Sequence, residues 1–263
     1  MLFSLATIPA LAGIRHPKLF LTSKCTLMST IHQNRLANRR DFLGKLAGTA
    51  ALIGINTLPL TAAPAVFKGS DSPGMGLADP DGWFKDKVKG KHRIVFDATA
   101  PKEMMTFAWP KVFLMTNAGT GTNEKDCSVV VVLRHDAIPY ALGDSLWAKY
   151  KLGEMFKIND PRTSAPATRN PFWETKPDDY KVPGIGPVQI GIRDLQASGV
   201  LFCVCDVALT VYSAVAGTNS NQDAAAVKSE WLAGIVPSVQ PMPSGVWAVG
   251  RAQEHGCTYC YAG

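Results

Sequence analysis

Short apolar runs alternate with longer stretches of helical spacing along residues 92–263. Several of the runs are rich in β-branched residues, which is typical of strands buried on both faces of a parallel sheet. The apolar pattern predicts strands at residues 92–98, 128–133, 200–205, 235–240 and 257–261. It predicts helices at residues 103–117, 140–155, 188–198, 207–217 and 244–254, with a further short helix after residue 223. This alternation predicts a three-layer α/β/α domain with a mostly parallel sheet of about five strands.

A proline-rich stretch interrupts the alternation at residues 159–187, where six prolines occur. Loops of this length are uncommon within compact domains, and they often act as lids over a functional site. We therefore expect Trp173, which lies in this loop, to be a ligand-binding residue.

The first 65 residues carry a different pattern. Arg39 and Arg40 are followed by Asp41-Phe42-Leu43, by an apolar stretch to about residue 60 and then by small residues. A basic segment, an apolar segment and a small-residue cleavage zone are the three parts of an export signal. The arginine pair followed by Phe-Leu resembles the twin-arginine consensus, which a receptor reads as an address. The alternative is an uncleaved transmembrane helix, for which about 18 residues is the low end of the usual length.

This leader sets the expected domain organisation and the charge. We expect a twin-arginine signal region at residues 1–65, with Met28 as an alternative start, a linker at residues 66–91 and one domain at residues 92–263. The signal region holds seven Lys or Arg residues and one acidic residue, which leaves 20 basic and 20 acidic residues after it. The net charge of +6 therefore belongs to the leader. The domain has no compositional support for a nucleic-acid partner.

Five cysteines follow the leader, and an odd number leaves at least one thiol unpaired in a monomer. They are Cys127, Cys203, Cys205, Cys257 and Cys260. In an oxidising compartment, a free thiol is either buried or used in chemistry.

Cys205 is the leading candidate for a chemical role. It ends a predicted strand, and in open α/β sheets ligands bind outside the carboxyl ends of the strands. The helix that follows would direct its N-terminus at this thiol and favour the thiolate. Strand alternation puts Cys203 on the same face but deeper, as a ligand-binding candidate. The alternative for both is a small buried apolar side chain.

Arg134, His135 and Asp136 follow the predicted strand at residues 128–133, at another carboxyl end. His135 can exchange a proton near neutral pH, and Arg134 can hold an anion. Asp136 is a ligand-binding candidate at the same position. The alternative is a solvated turn in which Asp136 caps the next helix.

The cysteines near the two strand ends also allow a metal hypothesis. If their strands are neighbours, Cys203, Cys205, Cys257 and Cys260 could form a four-thiolate metal site. Residues i and i+3 of a strand face opposite sides, which argues against Cys257 and Cys260 acting together. The sequence predicts no resident cofactor, and the four-thiolate site stays an alternative.

The second half of the chain resembles the DsrE/DsrF-like (YchN-like) family of small α/β sulfur-relay proteins. The matching segments are Val129-Val130-Val131-Val132-Leu133 before Arg134-His135, Leu195-Gln196-Ala197-Ser198-Gly199-Val200 before Phe202-Cys203-Val204-Cys205, Pro243-Ser244-Gly245-Val246, and Gln253-Glu254-His255-Gly256-Cys257-Thr258-Tyr259. The resemblance covers about residues 92–263. It implies a homo-oligomer and a persulfide-carrying cysteine at Cys205. The export signal and the proline-rich insertion depart from the cytoplasmic carriers of that family.

We therefore expect an exported, periplasmic protein that handles sulfur or thiol chemistry through Cys205, with Arg134 and His135 nearby. The expected partners are further copies of the chain, a small sulfur species or other small ligand and, transiently, the export machinery. Two alternatives stay open: a non-catalytic periplasmic protein that binds a small ligand or a metal, and a subunit of an exported complex.

Overall fold

The computed structural model describes residues 79–263. The predicted export signal and residues 66–78 of the predicted linker lie outside this range. Among the helices inside it, none combines the length and the apolar character needed to cross a membrane. The last part of the predicted linker differs from the expectation, because Pro80–Lys87 forms a helix, α1. The side chain of Asp79 caps this helix by accepting a hydrogen bond from the N–H of Gly82 at 2.8 Å.

The strands form the middle layer of the domain. In chain order they are β1 His92–Ala98, β2 Cys127–Leu133, β3 Lys181–Val182, β4 Gly186–Pro187, β5 Val200–Cys205, β6 Val239–Met242 and β7 Thr258–Tyr261. Five of them form one sheet in the order β6-β5-β2-β1-β7, with every neighbouring pair parallel. β3 and β4 form a small antiparallel pair. The predicted parallel sheet is confirmed, although β6 starts later than predicted because Ile235 pairs with Leu142 in an isolated bridge.

The remaining α-helices are α2 Met105–Gly119, α3 Asp144–Tyr150, α4 Leu152–Phe156, α5 Ile192–Ala197, α6 Asp206–Ser220, α7 Ala224–Ala233 and α8 Gly245–Glu254. Two 3₁₀ helices, Glu124–Asp126 and His135–Ala141, flank β2. The prediction of one helix at residues 140–155 is wrong. Lys151 adopts a left-handed conformation with φ of 49° between α3 and α4, which ends the first helix before the second begins.

The helices divide between the two faces of the sheet according to the direction of each crossover. The connections β1–β2, β2–β5 and β5–β6 all step the same way along the sheet, so right-handed crossovers put α2 to α7 on one face, the α2 face. The return from β6 to β7 runs the opposite way and puts α8 on the other face, the α8 face. The cores agree with this assignment. Phe107, Leu209 and Trp231 belong to the apolar cluster of the α2 face, and Phe84 and Ala248 to that of the α8 face.

The proline-rich loop at residues 159–187 is fixed on the α2 face by buried contacts. The side-chain amide of Asn170 donates hydrogen bonds to the carbonyls of Tyr140 and Leu142, at 2.8 and 2.9 Å. The ring of Phe172 stacks on that of Phe107, with ring centroids 4.1 Å apart. Residues 170–172 of the loop are therefore packed into the core, whereas residues 161–166 are exposed.

Candidate functional site

The carboxyl edge of the sheet has a point at which two neighbouring strands send the chain to opposite faces. β5 leads into α6 on the α2 face, whereas its neighbour β6 leads into α8 on the α8 face. In open α/β sheets, ligands bind outside the carboxyl ends of the strands, and this edge of the sheet is therefore the place to look for a site. Cys205 ends β5 at this point and pairs with Met242 at the end of β6. The predicted strand-end position of Cys205 is confirmed.

The sulfur of Cys205 caps the helix that follows it. Its Sγ accepts a hydrogen bond from the backbone N–H of Ala208 at 3.3 Å, and α6 begins at the next residue, Asp206. An acceptor at this position satisfies a backbone donor that has no partner within the helix. Cys205 is 7% exposed, so only a small part of the residue is open to solvent.

Arg134 lies next to Cys205 on the neighbouring strand. The last pair between β2 and β5 joins Leu133 to Val204, which brings the two residues that follow, Arg134 and Cys205, to the same level of the sheet. The pKa of the Arg134 guanidinium is raised, first by its hydrogen bond to Asp97 and further by the negative charges that Asp97, Tyr259 and Cys205 can carry, against the opposing effect of burial. The guanidinium therefore stays charged within electrostatic reach of the sulfur.

Asp97 and Tyr259 complete this cluster, and the sequence analysis missed both. Asp97 lies near the end of β1 and is 2% exposed. Arg134 donates to its two carboxylate oxygens from Nε at 2.6 Å and from Nη2 at 2.8 Å, and the hydroxyl of Tyr259 donates to Oδ2 at 2.9 Å. The signal available in the sequence was a carboxylate inside the apolar run of residues 92–98, since an acidic side chain is rarely buried without a partner.

His135 and Asp136 belong to a second cluster, beside α6. The hydroxyl of Tyr212 donates a short hydrogen bond to Asp136, and this ring meets that of His135 edge-on with centroids 6.1 Å apart. Nδ1 of His135 lies 3.4 Å from Oδ1 of Asp136. Burial and the bond to Asp136 raise the pKa of Tyr212, so its hydroxyl stays protonated and can donate. Arg134 thus contacts the α8 face, and the next two residues contact α6.

Cys203 is completely buried in the apolar cluster of the α8 face. Burial raises the pKa of its thiol far above the usual range. A sealed, neutral thiol cannot contact a ligand, so the structure does not support Cys203 as a ligand-binding residue.

The four-thiolate alternative fails on the order of the strands. β5 carries Cys203 and Cys205. The last strand, β7, contains Cys260 and directly follows Cys257, and β2 and β1 separate it from β5. Three strand spacings correspond to about 14 Å, far beyond the reach of a shared metal ion. No group of three or more potential ligands suited to a metal ion occurs in residues 79–263.

Trp173 lies on the α2 face, where it packs against the larger apolar cluster. The guanidinium of Arg193 is 5.9 Å from the centre of its ring. Arg134 by contrast packs against the first residue of α8, because a Cβ added to Gly245 would lie 2.4 Å from the Cβ of Arg134. Trp173 therefore lies on the face of the sheet opposite the Arg134–Asp97 pair, and the structure does not bring it to that pair.

No protein-family model matches the chain, and no curated protein matches it. Among solved structures, the chain is similar to a protein of unknown function, MTH1491, from Methanobacterium thermoautotrophicum. The two are 16% identical, the match covers 65% of this chain and 98% of that one, and the TM-score is 0.33. A similarity of this size carries no inference about function.

Proposed function

We propose that this chain is an exported, periplasmic DsrE-like protein that handles sulfur through a persulfide on Cys205. The observation that carries the proposal is the position of the sulfur, at the carboxyl end of β5 and capped by the N–H of Ala208. Ligands bind outside the carboxyl ends of the strands in α/β sheets, and the N–H of Ala208 gives the sulfur a hydrogen-bond donor there. The charged guanidinium of Arg134, at the end of the neighbouring strand, would attract an anionic sulfur donor.

The proposed step is the transfer of one sulfur atom from an organic persulfide, R–S–SH. The thiolate of Cys205 attacks the terminal sulfur of the donor, and a bond forms between Sγ and that sulfur. The sulfur–sulfur bond of the donor breaks, and R–S⁻ leaves with the electron pair. The proton stays on the transferred sulfur, so the step needs no external oxidant or reductant. Attack by the thiolate of an acceptor on the outer sulfur of Cys205 passes the atom on and restores the starting thiolate.

The experiment is mass spectrometry of the reduced full chain after incubation with cysteine persulfide and alkylation. We expect the peptide that contains Cys205 to gain one sulfur atom, and the Cys205→Ser variant to gain none at that peptide. Cys257 is an internal comparison, because burial raises the pKa of its thiol to about 11 and leaves little thiolate at neutral pH. Equal uptake at both cysteines, or no uptake at Cys205, would contradict the proposal and favour a binding protein without sulfur transfer.

A further inference from the structure

The pair formed by Asp97 and Arg134 contains a buried carboxylate near the carboxyl ends of β1 and β2. Asp97 is almost fully buried, and both of its carboxylate oxygens accept hydrogen bonds from the same guanidinium. A buried carboxylate is costly unless it is paired in this way, and two parallel bonds also fix the plane of the guanidinium. The pair therefore sets the orientation of Arg134 as well as its charge.

The hydroxyl of Tyr259 extends the pair to the edge strand β7. Its ring is half-exposed, and its oxygen donates to the Asp97 oxygen that also accepts from Nη2 of Arg134. Burial, followed by this hydrogen bond and the charge of Asp97, raises the pKa of Tyr259, so the hydroxyl remains a donor. Tyr259, Asp97 and Arg134 thus form a chain of hydrogen bonds across β7, β1 and the end of β2.

The stem of Arg134 is held from a second side. A Cβ added to Gly245 would lie 2.4 Å from Cβ and 2.8 Å from Cδ of Arg134, so the start of α8 lies directly against this side chain. The stem cannot move toward α8, and the two bonds to Asp97 hold its other end. Nη1 makes no hydrogen bond to the part of the chain from Asp79 to Gly263 and is available to a ligand.

We propose that Asp97 and Tyr259 are positioning residues that hold the guanidinium of Arg134 at the end of β2, level with Cys205 on the neighbouring strand, where it favours anionic partners of the sulfur. The inference rests on the proposed function, since it assigns the residues that support the reacting thiol. Tyr259 acts through Asp97, and Asp97 acts through Arg134. Neither residue needs to touch the donor.

The test compares two alkylating reagents of similar size and different charge on the reduced full chain. The rate at the Cys205 peptide is measured with iodoacetate, an anion, and with iodoacetamide, which is neutral, and the ratio of the two rates reports the local positive charge. Arg134→Gln should lower this ratio roughly threefold, the effect of one unit charge a few ångströms away in a water-like dielectric. Asp97→Asn should lower it to a similar extent, because the guanidinium is no longer held.

Tyr259→Phe should lower the ratio less than Asp97→Asn does, and Tyr261→Phe is its matched control. Tyr261 lies on the same strand and is also about half-exposed, but its hydroxyl bonds to Oγ1 of Thr99 at 3.2 Å. The ratio should stay at the wild-type value in that control. Fully buried Cys203 reports on folding in the same spectra, because it should resist alkylation in every folded variant.

Three results would overturn the inference. A higher ratio in Asp97→Asn would mean that Asp97 merely neutralises Arg134. An unchanged ratio in Tyr259→Phe would remove Tyr259 from the chain of hydrogen bonds, and equal losses in Tyr259→Phe and Tyr261→Phe would point to the strand and not to the hydroxyl. Sulfur uptake is read separately. Uptake at Cys205 with unaltered ratios sinks this inference and keeps the proposed function, whereas lowered ratios without uptake do the reverse.

Discussion

At the scale of single residues, Cys205 has a structural role besides the chemical one proposed for it. Its sulfur is the N-cap acceptor of α6, a position at which serine, threonine, aspartate and asparagine are the usual residues. The two roles use the same atom, so a substitution that removes the nucleophile can also weaken the helix. The choice of replacement therefore decides what an inactive variant means.

Cys205→Ser and Cys205→Ala separate the two roles. Serine keeps an acceptor at the cap, so we expect this variant to fold with a stability close to that of the wild type while losing the thiol. Alanine removes the acceptor and should be less stable than the serine variant by about 1 kcal/mol. Urea unfolding followed by circular dichroism measures the difference. Equal stability of the two variants would show that the bond from Ala208 contributes nothing.

The sequence predicts part of the site at this scale for a clear physical reason. Cys205 and Arg134 each mark the end of an apolar run, and the carboxyl ends of parallel strands meet at one edge of the sheet. Asp97 and Tyr259 join the site through pairing between β1 and β7, which are far apart in the sequence. Apolar periodicity carries no information about which strands become neighbours. A carboxylate inside an apolar run marks Asp97 as a residue that needs a partner, but the identity of that partner could not be predicted.

At the scale of the elements, the proline-rich loop shows how tightly an irregular segment can be bound. Gly153 in α4 touches the loop so closely that an added Cβ would lie 2.3 Å from both the nitrogen and the oxygen of Ala167. These are backbone atoms, which cannot turn away as the end of a flexible side chain can. The proline content predicts a long loop but not this backbone contact, on which the packing of the loop depends.

Gly153→Ala should therefore destabilise the domain by about 3 kcal/mol, because backbone must move to admit the methyl group. Gly250→Ala is the matched control in α8, since an added Cβ there meets nothing within 4 Å. Alanine is the better helix former, so the control should be as stable as the wild type or slightly more stable. Thermal unfolding of both variants gives the comparison. A mild effect at Gly153 would mean that the loop can shift at little cost.

The same loop should loosen in acid. The hydrogen bond from Arg162 to Asp179 lowers the pKa of that carboxyl below its ordinary value of 3.8, and the donor distances are 2.7 and 2.5 Å. A lowered pKa stabilises the fold at pH values above the ordinary one, and this contribution is lost as the pH falls through the lowered value. Limited proteolysis across this range should show residues 159–187 becoming cleavable.

Asp179→Asn is the control for that experiment. This variant lacks the charge at every pH, so its loop should be cleaved more readily than the wild-type loop near neutrality. In strong acid the two loops should be cleaved at similar rates.

The break between the short helices α3 and α4 has a different origin from the packing of the loop. The left-handed Lys151 that separates α3 from α4 is a local backbone choice, which helical spacing over residues 140–155 does not reveal.

At the scale of the whole molecule, the order of the strands turns a list of elements into a site. The alternation of strand and helix predicts a parallel sheet, but it leaves the strand order open. The observed order places β2 beside β5 and β7 beside β1, which brings Arg134 level with Cys205 and Tyr259 next to Asp97. The fold class and the strand-end position of Cys205 could therefore be predicted, and the strands that surround it could not.

The burial of Cys203 also bears on the proposed export. Its thiol is free and lies fully buried among apolar side chains. A domain that folds before it leaves the cytoplasm keeps such a thiol away from oxidants, whereas a chain that crosses unfolded exposes every thiol to an oxidising compartment. The twin-arginine signal predicted from Arg39 and Arg40 is consistent with folding before export, since that route carries folded proteins.

Replacing Arg39 and Arg40 by lysine should therefore leave the full chain in the cytoplasm while the wild type reaches the periplasm, as measured by cell fractionation and immunoblotting. Lysine keeps the positive charge but removes the arginine pair. If export needed only a basic segment, the lysine variant would still be exported, and that result would contradict the assignment of a twin-arginine signal. Replacing the leader by a signal for unfolded export supplies the second comparison. In that form Cys203 should become accessible to oxidation during transit, and mass spectrometry of the periplasmic protein should find mixed disulfides that are absent from the wild type.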